Sequence, residues 1–121
     1  MYNRIDIALD PFPWAGGTTT CDALYMGVPV VSLVGEKAVS RGGLSILSNV
    51  GLPKLAVTTG DEYVNVCQSL ASDLPALAEL RRGLRQRMQT SPLMDGPSFA
   101  RDVESQYRRM WHKWCLSASP R

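Results

Sequence analysis

The sequence predicts an α/β fold with two to three parallel strands and about five helices, and three observations predict it. "VPVVSLV" (Val28–Val34) is β-branched and apolar on both phases, as in a strand buried on both faces of a parallel sheet. "IDIAL" (Ile5–Leu9) is a shorter apolar run that stops at Asp10-Pro11. Between them, a pair of glycines leads into a helical stretch from Thr18 to Met26. Strand, turn, helix, strand is a βαβ unit, and its crossover is expected to be right-handed.

The remaining elements follow in order. Gly27 is placed to stop the first helix, with Pro29 just beyond it. After the loop "GEKAVS", Ser40 is the expected N-cap of a helix through about Asn49, closed by Gly51 and Pro53. "KLAV" (Lys54–Val57) is a candidate third strand. Thr59-x-x-Glu62 has the form of a capping box, ahead of a helix with Tyr63, Val66 and Leu70 on one face. Asp73 and Pro75 open another helix, with Leu77, Leu80, Leu84 and Met88 at 3–4 spacing; Gly83 weakens it without ending it. "TSPLMDGP" reads as a loop. From Ser98 to Cys115, the residues Phe99, Val103, Tyr107, Met110, Trp111 and Trp114 form one apolar stripe of a last helix. Residues 116–121 are expected to be a frayed tail. So few strands make a poor sheet with a bare first edge, so residues 1–115 read as the second half of a larger α/β domain.

With 45% hydrophobic and 20% charged residues, the bulk of the chain is expected to be folded rather than disordered. No apolar run approaches the roughly 20 residues of a membrane span, and the first ten residues lack the features of a secretory signal. Cys21, Cys67 and Cys115 are scattered and odd in number, as expected of reduced thiols in a cytoplasmic protein. Residues 1–80 carry four Lys/Arg against eight acids, and residues 81–121 carry nine against three. The arginines alternate with apolar residues at helical spacing, which fits solvated helix faces better than a nucleic-acid surface.

The chemistry is concentrated in "DPFPWAGGTTTCDALYMGVPVV" (Asp10–Val31). A helix start leaves about four backbone N–H groups without internal partners, and its dipole adds partial positive charge, so it suits a phosphate or diphosphate. Gly16 and Gly17 let backbone approach such an anion, and Thr18, Thr19 and Thr20 carry hydroxyls in the first turn. Asp22, about one turn further in, suits a ribose hydroxyl beside the phosphates. The motif is neither Gly-x-Gly-x-x-Gly nor a P-loop. The same residues equally describe a glycine turn with Thr18 as helix cap and Asp22 as a helix-start charge.

"DPFPWAGGTTTCDALYMGVPVVSLVGEKAVSRGGLSILSNVGLPKL" resembles the C-terminal part of the catalytic region of the O-linked N-acetylglucosamine transferases, the SPINDLY-like family often preceded by tetratricopeptide repeats. "SPLMDGPSFARDVESQYRRMW" resembles that family's ending, so the likeness runs from about Ile5 to Trp114. It implies a GT-B architecture, two Rossmann-like domains with the active site in their cleft, with this chain as the second half of the donor-binding C-terminal domain. It implies transfer of GlcNAc from UDP-GlcNAc to Ser/Thr of proteins, with no cofactor and no metal. Gly16, Gly17, Thr18 and Thr19 would then meet the UDP diphosphate and Asp22 the ribose. Thr20 and Arg41 are candidates for further cleft contacts, and no catalytic residue is assigned. Two positions depart from the animal enzymes, which carry histidine in place of Gly17 and glycine in place of Thr20.

In that family a diphosphate-contacting lysine, the uracil-binding segment and the acceptor site lie upstream of the matched region. A nucleotide sugar is the expected small-molecule partner; the chain alone is not expected to catalyse transfer, and a protein acceptor would be met through upstream regions. No nucleic acid or membrane partner is expected, whereas self-association is, through the bare strand edge and the aromatic stripe. The alternatives are a non-catalytic nucleotide- or protein-binding remnant and a GT-B enzyme using another UDP-sugar. His112, the single histidine, lies on the last helix without an evident acid partner and reads as a surface or interface residue. Cys21, one residue from Asp22, reads as a small buried hydrophobe rather than a reactive thiol.

Overall fold

Strand β2 (Val30–Leu33) is the middle of three parallel strands in the computed structural model, which describes residues 2–117. Strand β1 (Ala8–Leu9) pairs with it through Ala8 and Val30, and strand β3 (Ala56–Val57) through Ser32 and Ala56. Val30, Val31 and Ser32 are all essentially inaccessible to solvent, which accounts for the unalternating apolar pattern. Side chains alternate across a strand, so Val30 and Ser32 share one face and Val31 takes the other.

The outer strands are shorter than their apolar runs. Residues before Ala8 are drawn into a 3-10 turn (Tyr2–Arg4), with the Ile5 N–H bonded to the Tyr2 carbonyl. On the other side Pro53 starts a second 3-10 turn (Pro53–Leu55), so only Ala56 and Val57 remain to pair.

Helices α1 (Thr18–Tyr25) and α2 (Gly42–Asn49) connect the strands. Both end in the same way. Gly27 and Gly51 adopt φ of +79° and +73°, while the next N–H, from Val28 or Leu52, reaches back to the carbonyl of Ala23 or Leu47 at 2.8 Å. These are Schellman ends, and only glycine takes that backbone without strain. Helices α3 (Gly60–Ser72) and α4 (Leu74–Gln89) follow β3. The Thr59–Glu62 capping box is complete, and Asp73 caps α4 through the Ala76 N–H at 3.0 Å. Gly83 leaves α4 continuous. Ala23, Leu24, Val28, Val30, Leu47, Val50, Leu55, Leu84 and Met88 form the core.

Two helix starts differ from expectation. Ser40 does not cap α2: it closes a 3-10 turn (Ala38–Ser40), is buried, and donates its hydroxyl to the Lys37 carbonyl at 2.8 Å. Helix α5 (Gly96–Ser117) starts two residues before Ser98, because Asp95 accepts both the Ser98 N–H (3.0 Å) and its hydroxyl (2.6 Å). It also runs through Leu116 and Ser117, which were expected to fray; the remainder of that tail lies outside the described residues.

Candidate functional site

Asp10 organises the end of the sheet where β1 meets the glycine turn. Its N–H bonds to the Val31 carbonyl at 2.9 Å, continuing the ladder one residue beyond β1. Only 6% of the residue is exposed. One carboxylate oxygen, Oδ1, accepts the Gly16 N–H at 2.7 Å, and the other, Oδ2, accepts the Ser32 hydroxyl at 2.6 Å. A single carboxylate thus ties the turn before α1 to the central strand.

The glycines around it have no room to spare. A Cβ on Gly16 would lie 3.0 Å from Asp10 Oδ1 and from Thr19 Oγ1, and would overlap Thr20 Oγ1. On Gly43, in the first turn of α2, a Cβ would lie 2.6 Å from Asp10 Oδ2 and overlap Ser32. Gly17 is the opposite case, since a Cβ there meets nothing within 4 Å. Open space therefore lies beside the helix start at Gly17.

Gly17 is the N-cap of α1, and no side chain caps that helix. Its first-turn amides have no i−4 carbonyl to bond. The structure brings Gly16, Gly17, Thr18 and Thr19 together at this mouth, with both threonines exposed. Thr20 is turned inward, 3% exposed, with its hydroxyl under Gly16. The residue expected toward the cleft thus packs against the turn's own backbone. Asp22 is exposed one turn along the helix. The Cys21 thiol is half-buried, and burial, with the neighbouring Asp22 charge, pushes its pKa up. It stays a protonated, partly buried packing group.

Arg41 stands at the start of α2, exposed, with Nη1 bonded to the Gly35 carbonyl at 3.2 Å. It lines a groove of about 680 Å³ past the carboxyl ends of β2 and β3, together with Phe12, Val34, Lys37 and Thr58. In open α/β sheets, ligands gather at that end of the strands. Thr18, Thr19 and Asp22 do not line this groove, but the two features adjoin: a Cβ on Gly42 would lie 3.3 Å from the Gly16 carbonyl.

Residues 3–103 match the family described as glycosyl transferase family 41. The chain belongs to that family. It is 52% identical to a probable UDP-N-acetylglucosamine–peptide N-acetylglucosaminyltransferase SPINDLY of Hordeum vulgare over 98% of this chain. The UDP-N-acetylglucosamine–peptide N-acetylglucosaminyltransferase of Caenorhabditis elegans is 32% identical over 90% of it. A mutant O-GlcNAc transferase of Thermobaculum terrenum superposes with a TM-score of 0.89 at 42% identity over 98% of this chain. The three-stranded unit of this family 41 chain therefore has the fold of part of a GT-B glycosyltransferase. It spans 13% of the length of the barley relative and 23% of the Thermobaculum chain.

Sequence reasoning overlooked Asp10, Ser32 and Gly43 as members of this constellation. Two signals were available. Ser32 is a lone hydroxyl in an aliphatic strand, and a buried hydroxyl needs a partner. Asp10 is the acid that ends the neighbouring strand.

Proposed function

We propose that this chain is the donor-nucleotide-binding portion of a protein O-GlcNAc transferase-like glycosyltransferase, acting in the cytoplasm on UDP-GlcNAc and Ser/Thr of a protein acceptor. The observation that carries the reading is the uncapped mouth of α1, framed by Gly16 and Gly17 and edged by two exposed threonine hydroxyls. Free amides and the helix dipole favour the diphosphate there. As the sugar–phosphate bond breaks, negative charge grows on the leaving UDP, and fixed donors aimed at it lower the barrier. Thr18 and Thr19 supply hydroxyls to that charge. Asp22 would repel phosphate, so its part is to accept bonds from the ribose hydroxyls. Arg41, in the adjoining groove, supplies a positive charge beside the site. The names of the relatives, with the 52% identity to SPINDLY, support GlcNAc as the sugar.

Calorimetric titration with UDP, uridine and 2′,3′-dideoxy-UDP tests this assignment. Thr18→Val is expected to weaken UDP and leave uridine nearly unchanged. Asp22→Ala is expected to weaken UDP by about 1.5–3 kcal/mol, the range for hydrogen bonds to a charged group, and to spare the dideoxy analogue. Equal loss with both ligands, or none, would reduce Asp22 to a helix-start charge.

A further inference from the structure

We propose that Asp10 is a positioning residue for the donor: its buried carboxylate fixes the Gly16–Gly17 turn and thereby sets which amides of α1 face the diphosphate. The inference rests on the donor reading above and assigns a role to a residue that does not itself touch ligand.

Three observations carry it. First, Asp10 is a charged group that is almost fully buried, and no Lys or Arg among the described residues forms an ion pair with it. Its charge is compensated by hydrogen bonds at 2.7 and 2.6 Å from the turn before α1 and from strand β2. Such charge-assisted bonds are short and directional, so they fix geometry as well as adding energy. Second, the bond commits the Gly16 N–H to Asp10. The amides left for an anion begin at Gly17, and Gly16 serves as the pivot that aims them. Third, the space around the carboxylate is closed by Gly16 on one side and Gly43 on the other. The latch therefore ties the mouth of α1 to β2, with the start of α2 packed against the same carboxylate.

A negative charge behind an anion site also opposes the anion, and this opposition separates positioning from bulk electrostatics. Asp10→Asn keeps an acceptor for the Gly16 N–H and removes the charge. Asp10→Ala removes both. Ser32→Ala keeps the Gly16 bond and removes only the second anchor. If Asp10 acts by positioning, Asp10→Asn binds UDP at least as well as the wild type, Asp10→Ala loses about tenfold or more, and uridine affinity is unchanged in all variants. A role confined to stability would instead move UDP and uridine together.

The experiment is a UDP and uridine titration of the 121-residue chain and these three variants, paired with hydrogen exchange at the Gly16 amide without ligand. The Gly16 amide should be protected in the wild type and in Asp10→Asn and exposed in Asp10→Ala, while the Val28 amide at the end of α1 stays protected in all. Wild-type UDP affinity in Asp10→Ala, or a tenfold loss in Asp10→Asn, overturns the proposal. Should Asp10→Ala not fold, the Asp10→Asn result and the Gly16 amide of the wild type still decide it. A wild type that binds no UDP overturns the donor reading and the ligand half of this proposal, whereas an unprotected Gly16 amide overturns the latch alone.

Discussion

The turn at Gly16 and helix α5 lie at opposite extremes of how a segment meets its neighbours. Around Gly16 a buried carboxylate accepts two hydrogen bonds, and the space a Cβ would need is taken by side-chain oxygens. Helix α5 is 22 residues long and buries none of them. Phe99, Tyr107, Met110, Trp111 and Trp114 on its stripe are each at least 59% exposed, and Trp111 stacks on Trp114, with ring centroids 5.3 Å apart. One region is specified by close packing. The other is specified by local helix signals and the Asp95 cap, and presents apolar surface that the rest of the described chain leaves uncovered. Stability and association should therefore separate between them.

The largest effect is expected at Gly43. Gly43→Ala places a methyl against Asp10 and Ser32, and overpacking of this kind typically costs about 1–3 kcal/mol. Gly96→Ala, where nothing lies within 4 Å, should change stability by less than about 0.5 kcal/mol. Urea unfolding of the two variants measures the contrast directly. Equal losses would show that the crowding at Gly43 relaxes at little cost.

Next comes the apolar stripe. Replacing Met110, Trp111 and Trp114 together by Gln should leave unfolding of the body almost unchanged, because none of the three is buried. It should shift sedimentation at micromolar concentration toward the monomer, because the wild-type stripe and the bare edge of β1 favour self-association. A wild type that already sediments as a monomer would remove the basis of that expectation.

The smallest effect concerns pH. Backbone N–H groups of Thr58 and Thr59 hold the Glu62 carboxyl below its ordinary value, and the Ser98 hydroxyl and N–H do the same for Asp95. Both groups have a lower pKa folded than unfolded. Their contribution is therefore present above the ordinary carboxylate range and is lost as pH falls through the folded values. Helical circular dichroism should decline modestly below about pH 4, and Glu62→Gln with Asp95→Asn should flatten that decline. Both carboxylates are fully exposed, so the amplitude is small.

The contrast between the two regions also governs what could be read from sequence. The glycine stops at Gly27 and Gly51, the Thr59 capping box and the Asp73 cap are local, and each was legible because its physics involves residues a few positions apart. The apolar stripe of α5 was legible as a periodicity, but periodicity does not reveal whether anything covers it. Ser40 resembles a cap in sequence because a serine before a helix often is one, whereas its hydroxyl is spent on the 3-10 turn that precedes α2. The mouth of α1 was recognised from Gly16 to Thr19. Its support was not, because Asp10, Ser32 and Gly43 meet only when β1, β2 and α2 are assembled. Thr20 shows the same limit: three adjacent threonines look alike in sequence, and the helix turns one of them inward.

The strand order has a bearing on how the chain acquires its shape. Each strand of the described sheet pairs only with the next one along the chain, so no pairing waits for a distant segment. Loop closure costs grow with the separation of the paired segments, and topologies rich in short closures fold faster. The Asp10–Ser32 bond is made within the first of these closures, and Gly43 seals it from the segment that begins the second. The Gly16–Gly17 turn is thus expected to acquire its final geometry before α4 has docked and independently of α5, an order that pulse-labelled hydrogen exchange would show as early protection at Gly16.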